Sequence, residues 1–329
     1  MRWLASLCLA LLLSCHTDPE LEPEFGDCPS LCELIEALNY DVDTPSSGLL
    51  PTVGSDTGIV FASLVPHSAF KIIVHYSGYL TSYMPCLLQY NLATSQFNII
   101  LSDPVYFSSP EISNQGWLLF TKPDLQLWKI KANGDSLTQL TSEGSNFHYA
   151  WSPDGERIIY RKEYPSGTYK TVVTDKNGEF TSIVNGSYRI GKPSWSPDGE
   201  YIACTSRGSE TDVDLINTNT WQITSLIDYI GQTNPNETVL DIDFYPDSKH
   251  ILLVTSTELR KVNIETGVVD IVARTCDSQS FQTAGISDDG QSILVRKVIY
   301  SYYNTECLFL ESELSILDCN GIELEKIHL

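Results

Sequence analysis

The chain has 329 residues, with 20 Lys and Arg against 42 Asp and Glu, a formal net charge of −22 and 10% aromatic residues. A chain this acidic argues against a nucleic-acid partner, because a phosphate backbone is bound by releasing its counterions to a cationic surface. Length alone leaves open one large repeat domain or several smaller ones.

The N-terminus comes first. One cation at Arg2 precedes an apolar run from Trp3 to Leu13 that ends on Ser14-Cys15. This run is too short to span a bilayer core, which takes about 20 residues, but it suits a secretory signal. Leu12-Leu13-Ser14-Cys15 resembles the lipobox of bacterial lipoproteins. The resemblance implies a lipoprotein signal peptide over residues 1–14, acylation of Cys15, and contact with a membrane through that N-terminal lipid anchor only. An ordinary cleaved signal that leaves Cys15 unmodified is the alternative. Residues 15–57 read as an acidic tether, HTDPELEPEFGD, followed by a short cap containing Cys28, Cys32 and ELIEALN. A segment of the tether's composition does not bury enough apolar surface to fold alone. By resemblance to lipoprotein sorting, His16 in place of an aspartate after the cysteine points to an outer-membrane lipoprotein facing the periplasm or the cell surface.

From residue 58 onward the chain repeats. Trp-Ser-Pro-Asp-Gly occurs at Trp151 and again at Trp195, and degenerate copies align at Leu64, Ile112, Phe244 and Ile286. A period of roughly 44 residues is that of one supersecondary unit copied along the chain. After each anchor comes a compact apolar run, such as RIIYR, YIACTS or HILLVTS, which reads as a buried strand. Turn sequences such as KANGDS, TDKNGE and NIETGV then close a further hairpin. The expectation is an all-β fold: a six-bladed β-propeller of four-stranded antiparallel blades over residues 58–329, with each apolar anchor wedged between blades. The repeat around Trp151 and Trp195 resembles that of TolB-type propellers, which are also found in relatives of prolyl oligopeptidase. That resemblance implies a periplasmic role in protein assembly, although a shared fold does not establish a shared function.

Enzymatic signatures are sparse. No Gly-x-Ser-x-Gly elbow is present, and Asp56-Thr57-Gly58 is followed by Ile59, so it reads as a loop turn. The six histidines form no tight ligand pair, no cofactor motif appears, and no metal site is expected. Alternation along the innermost strands sends Glu111, His148, Lys192, Asp241 and Asp243 toward the central channel, where they are candidates for binding a polar ligand. A water-filled funnel with no specific ligand is the alternative. The longer insertions share one face and carry Tyr79 and Tyr83 in the first blade and Tyr300, Tyr302 and Tyr303 in the last. These form a candidate interaction face, since tyrosine is enriched at binding surfaces; rings that merely pack the loops are the alternative. Cys276 and Cys307 fall in loops of that face and are the expected disulfide, while Cys204 lies inside a strand and reads as a buried thiol.

The functional expectation is a lipid-anchored cell-envelope β-propeller acting as a non-enzymatic binding platform for an envelope protein, a peptide or a glycan. The alternative is a polysaccharide-active propeller enzyme, a lyase or glycosidase, using Glu111 with Asp241 or Asp243.

Overall fold

The computed structural model describes residues 57–64, 71–78, 86–91, 96–101, 105, 110–184, 190–205, 213–226, 238–275, 279–303 and 306–327. Every described element is a strand, and the strands form antiparallel sheets in strict chain order, so each sheet is an up-and-down meander. Sheet one comprises Thr57–Leu64, Lys71–Gly78, Cys86–Asn91 and Gln96–Leu101; sheet three comprises Ser145–Trp151, Arg157–Glu163, Tyr169–Asp175 and Phe180–Val184. Sheet four runs from Gly191–Trp195 to Ile223–Ser225, sheet five from Val239–Phe244 to Val269–Arg274, and sheet six from Gln279–Ile286 to Glu323–Ile327.

The expectation of six four-stranded blades does not hold. Five sheets are full blades. The second sheet is reduced to the hairpin Trp117–Thr121 and Leu127–Lys131, with only Glu111–Ile112 on its inner side and Thr138–Gln139 on its outer side. Two local features account for the short flanks. Pro110, just ahead of Glu111, has no N–H to give to a ladder, and Ser136 at φ 63° turns the chain away shortly before Thr138.

The apolar runs are continuous because each inner sheet is covered on both faces. In His250–Thr255, Ile251 and Leu253 pack toward sheet four while Leu252 and Val254 pack toward sheet six, and all four have no solvent exposure. Corresponding clusters fill the other boundaries, with Trp151 between sheets two and three, Trp195 between three and four, and Phe244 between four and five. Ile112 and Ile286 contribute as partly buried neighbours. The first strand of sheet one contacts sheet six, which closes the ring, and successive first strands contact one another from sheet two onward. First strands therefore surround the axis.

The Ser-Pro-Asp-Gly turns are small hydrogen-bonded cages. Ser152 Oγ–H donates to Asp154 Oδ1, Arg157 N–H returns to Ser152 Oγ at 2.8 Å, and Gly155 at φ 68° closes the turn. Sheets four and six repeat this with Ser196 and Asp198, and with Ser287 and Asp289. Sheet five departs from it: Tyr245 stands where the serine would be and buries its ring against sheet six. The imidazole of His250 takes over the serine's duty, with Nδ1 2.6 Å from Asp247 Oδ2.

A second expectation also fails. The stretch 299–312 is no loop, since Ser292–Tyr303 and Glu306–Asp318 form one long hairpin that sets Tyr302 opposite Cys307. Its residues are rich in β-branched and aromatic types, which prolong a ladder wherever register allows.

Candidate functional site

The innermost strands place four of the five expected channel residues in one electrostatic neighbourhood. Glu111 comes from sheet two, Lys192 from sheet four, and Asp241 and Asp243 from sheet five, all half-buried. Burial pushes the Glu111 carboxyl well above its usual range, and the negative charges of Asp243 and Asp241 push it further, against a smaller opposing effect of Lys192. Burial likewise raises Asp241, opposed by Lys192 and by backbone hydrogen bonds at Ile242 and Ala284. Asp243 is pushed up to about 6 by burial; the Ile286 N–H works against that rise and Asp241 adds to it. Burial thus leaves all three carboxyls raised, in contrast to the turn aspartates. Burial raises Asp154 too, but the Ser152 hydroxyl and the Glu156 N–H more than offset it and keep it below the usual range.

The two aspartates are engaged by backbone. Asp243 Oδ2 accepts the Ile286 N–H at 2.9 Å, and Oδ1 accepts the Ser194 hydroxyl at 3.1 Å and the Phe244 N–H at 2.9 Å. One side chain thus links sheets four, five and six. A Cβ at Gly285 would meet Asp243 Oδ2 at 3.8 Å, an ordinary contact distance, so this approach does not require glycine. Glu111 differs: among the described residues no hydrogen-bond donor reaches its carboxyl.

The fifth expected residue, His148, sits one sheet before Lys192 in the corresponding position, and its Nδ1 accepts the Lys192 N–H in a long bond of 3.4 Å. Both residues are left-handed, at φ 49° and φ 45°. The cause is a bulge, since two residues of the inner strand oppose one of its neighbour between Phe147 and Ala150 and again between Gly191 and Ser194. Bulges re-aim side chains, so simple alternation does not set these two. Sheets one, five and six carry inner-strand bulges as well. Only sheet four marks its bulge in the sequence, with Gly191 and with Pro193 inside the bulge itself; the others carry no such residue. Sequence inspection also passed over Ser194, whose only signal was a polar residue next to the channel.

The remaining expected sites fall elsewhere. Cys15, Tyr79, Tyr83 and Cys276 lie outside the described residues, as do the side chains of Tyr300, Tyr302, Tyr303 and Cys307. Cys204 is fully buried and Cys319 is a half-buried free thiol. Among the described residues no group of three or more His, Cys, Asp or Glu is placed to hold a metal ion.

Comparison with protein-family models and with curated proteins finds no match. Solved structures do match. A protein assigned to TolB from Agrobacterium tumefaciens aligns with a TM-score of 0.60 and 17% identity, over 72% of this chain and 86% of that one. TolB from Acinetobacter baumannii aligns with a TM-score of 0.47 and 14% identity, over 78% of this chain and 76% of that one. Taken with the ring of meander sheets, the first of these alignments shows that the chain has a TolB-like β-propeller fold.

Proposed function

We propose that the protein is a non-enzymatic binding platform of the bacterial cell envelope, held to the membrane by a lipid on Cys15, and that its channel wall receives a cationic group of a protein or peptide partner. The observation that carries this reading is the convergence of Glu111, Asp241 and Asp243 in one electrostatic neighbourhood, where Lys192 acts on Glu111 and Asp241. Three carboxyls against one ammonium leave the site short of positive charge, and an incoming lysine, arginine or N-terminal amine would supply it. The TolB-like fold adds a rigid ring on which to mount such a site, and the structural neighbours that carry the TolB name are compatible with an envelope setting.

Hydrolysis of a polysaccharide is the less favoured reading. A glycosidase needs one carboxyl as acid and a second that is open to sugar or water. Both oxygens of Asp243 are already occupied by donors from three sheets, and Asp241 is engaged by backbone.

The test uses the full chain in detergent against an array of cationic, neutral and anionic peptides. Cationic peptides are expected to bind, with at least tenfold loss in Glu111→Gln. Equal binding of the three classes, no loss in that variant, or release of reducing sugar from a polysaccharide would overturn the reading. The anchor is tested separately: Cys15→Ser should move the chain from the membrane fraction to the soluble one.

A further inference from the structure

The cations of this acidic chain are unevenly spread. Residues 157–176 contain Arg157, Arg161, Lys162, Lys170 and Lys176 against Glu163 and Asp175, a local excess in a chain with 20 cations and 42 acids. All but Lys176, which follows the second strand, lie on the central hairpin of sheet three, formed by Arg157–Glu163 and Tyr169–Asp175.

Register brings two of them face to face. Lys162 is directly opposite Lys170, an arrangement that destabilises a ladder unless something else requires it. Tyr164, two residues beyond Lys162, lies beside both ammonium groups, 5.3 Å from Lys162 Nζ and 5.5 Å from Lys170 Nζ measured to the ring centroid. Attraction to the ring face offsets part of the repulsion. Lys162, with 16% of its side chain exposed, has one carboxylate within reach, Glu143 at 3.8 Å, whose side chain is 82% exposed and adds little. Among the described residues no carboxylate pairs with Lys170. The tip beyond, 165–168, is exposed, and the space around Gly167 is open. Its turn is nevertheless ordered, by Tyr164 N–H to Thr168 O and Gly167 N–H to Tyr164 O, both at 2.9 Å.

We propose that this hairpin is a second binding site, for the carboxylated sugars of an anionic glycan. Two ammonium groups beside an aromatic ring match a uronate in two respects at once. A pyranose presents a flat face of C–H groups to a ring, and its carboxylate meets a cation. An acidic peptide offers the carboxylate without the flat face, and a neutral sugar offers the face without the charge. Lysine is a compact, hydrated point charge and not a bidentate fork, which suits a repeating carboxylate better than a specific phosphate. The chain as a whole is acidic and disfavours the same polymer elsewhere at long range.

The probe is trigalacturonate, titrated into the full chain in detergent at low ionic strength, with maltotriose and a short poly-glutamate peptide alongside. Trigalacturonate should bind at least tenfold more tightly than either, and more weakly as salt rises. Lys162→Gln and Lys170→Gln should each weaken it about threefold or more, and Tyr164→Ala should weaken it while Tyr164→Phe retains it. Hydrogen exchange should slow around residues 162–170. Three results would each sink the proposal: no binding of trigalacturonate, equal binding of poly-glutamate with no effect of Tyr164→Ala, or protection confined to the channel strands. Because the ligand has the opposite charge and the site lies on another element, failure here leaves the channel reading standing, and the reverse also holds.

Discussion

Asp243 of sheet five accepts the backbone N–H of Ile286 in sheet six at 2.9 Å, across a blade boundary and next to the axis. The same carboxyl receives Ser194 from sheet four, so a channel residue also acts as a clasp between blades. That dual use explains why Asp243 tolerates burial with its protonation shifted up to about 6, and it divides the acidic cluster into engaged aspartates and an open glutamate.

Removing the Ser194 hydroxyl isolates this clasp. Ser194→Ala deletes a donor to the ionised carboxylate, so the Asp243 pKa should rise above its present value of about 6. Stability at pH 8 should fall by about 1.5–3 kcal/mol, as expected for a hydrogen bond to a charged group, with a smaller loss at pH 4. Carboxyl-carbon NMR titration and urea denaturation at the two pH values would check both; an unchanged titration would show that the backbone donors alone set it.

Glu111 predicts a stability profile of unusual sign. Its folded pKa lies well above the ordinary value of a glutamate, so the folded state binds more protons than the unfolded one between those values. Its contribution is therefore fully present below about pH 4 and is lost as pH rises through the folded pKa. Glu111→Gln should match the wild type near pH 4 and exceed it at pH 8, as read from denaturation midpoints. Equal midpoints throughout would mean that the carboxyl is solvated.

Proton release should accompany cation binding. A ligand cation favours the ionised forms of Glu111, Asp241 and Asp243, all of which have raised pKa values. Affinity for a cationic peptide should therefore increase with pH through about 6, and calorimetry in buffers of different ionisation enthalpy should register protons leaving the complex. Uptake of protons, or none, would contradict this.

His148 at φ 49° offers a test of stored strain. A non-glycine residue held there costs about 1–3 kcal/mol, while glycine brings an entropic cost of about 0.5–1 kcal/mol. His148→Gly should thus raise stability by about 1 kcal/mol, measured by urea midpoint. A lower midpoint would show that the imidazole's contacts outweigh the strain.

The turn of sheet five depends on His250 in place of a serine. His250→Ala should cost about 1 kcal/mol, comparable to Ser152→Ala in sheet three, because each removes a side-chain partner of a turn aspartate. A cost-free His250→Ala would mean that the Lys249 and His250 N–H groups, at 2.9 and 3.0 Å, suffice for Asp247.

Much of the architecture is legible in the repeat. Trp151, Trp195 and Phe244 wedge between sheets because a bulky apolar residue recurring every 44 or so positions has few other places to be buried. The reduced second sheet was less visible: ISNQG keeps the pattern of the repeat without its Trp, Pro and Asp, and strand length depends on what precedes and follows it. The long hairpin ending in Tyr302 and Cys307 was misread as a loop, because its asparagine, threonine and glutamate mark a turn without saying how far the flanking strands run.

The β-meander, its period and the wedges at Trp151, Trp195 and Phe244 follow from local alternation, turn chemistry and the need to bury apolar side chains, all readable along the chain. Folding adds what those patterns do not contain: the shared electrostatic neighbourhood of Glu111, Lys192, Asp241 and Asp243, the engagement of two aspartates by the next blade, and the pairing of Lys162 with Lys170. Those relations depend on ring closure, bulges and strand register, which bring together residues as much as 132 positions apart, as between Glu111 and Asp243, and no short-range pattern encodes such a distance.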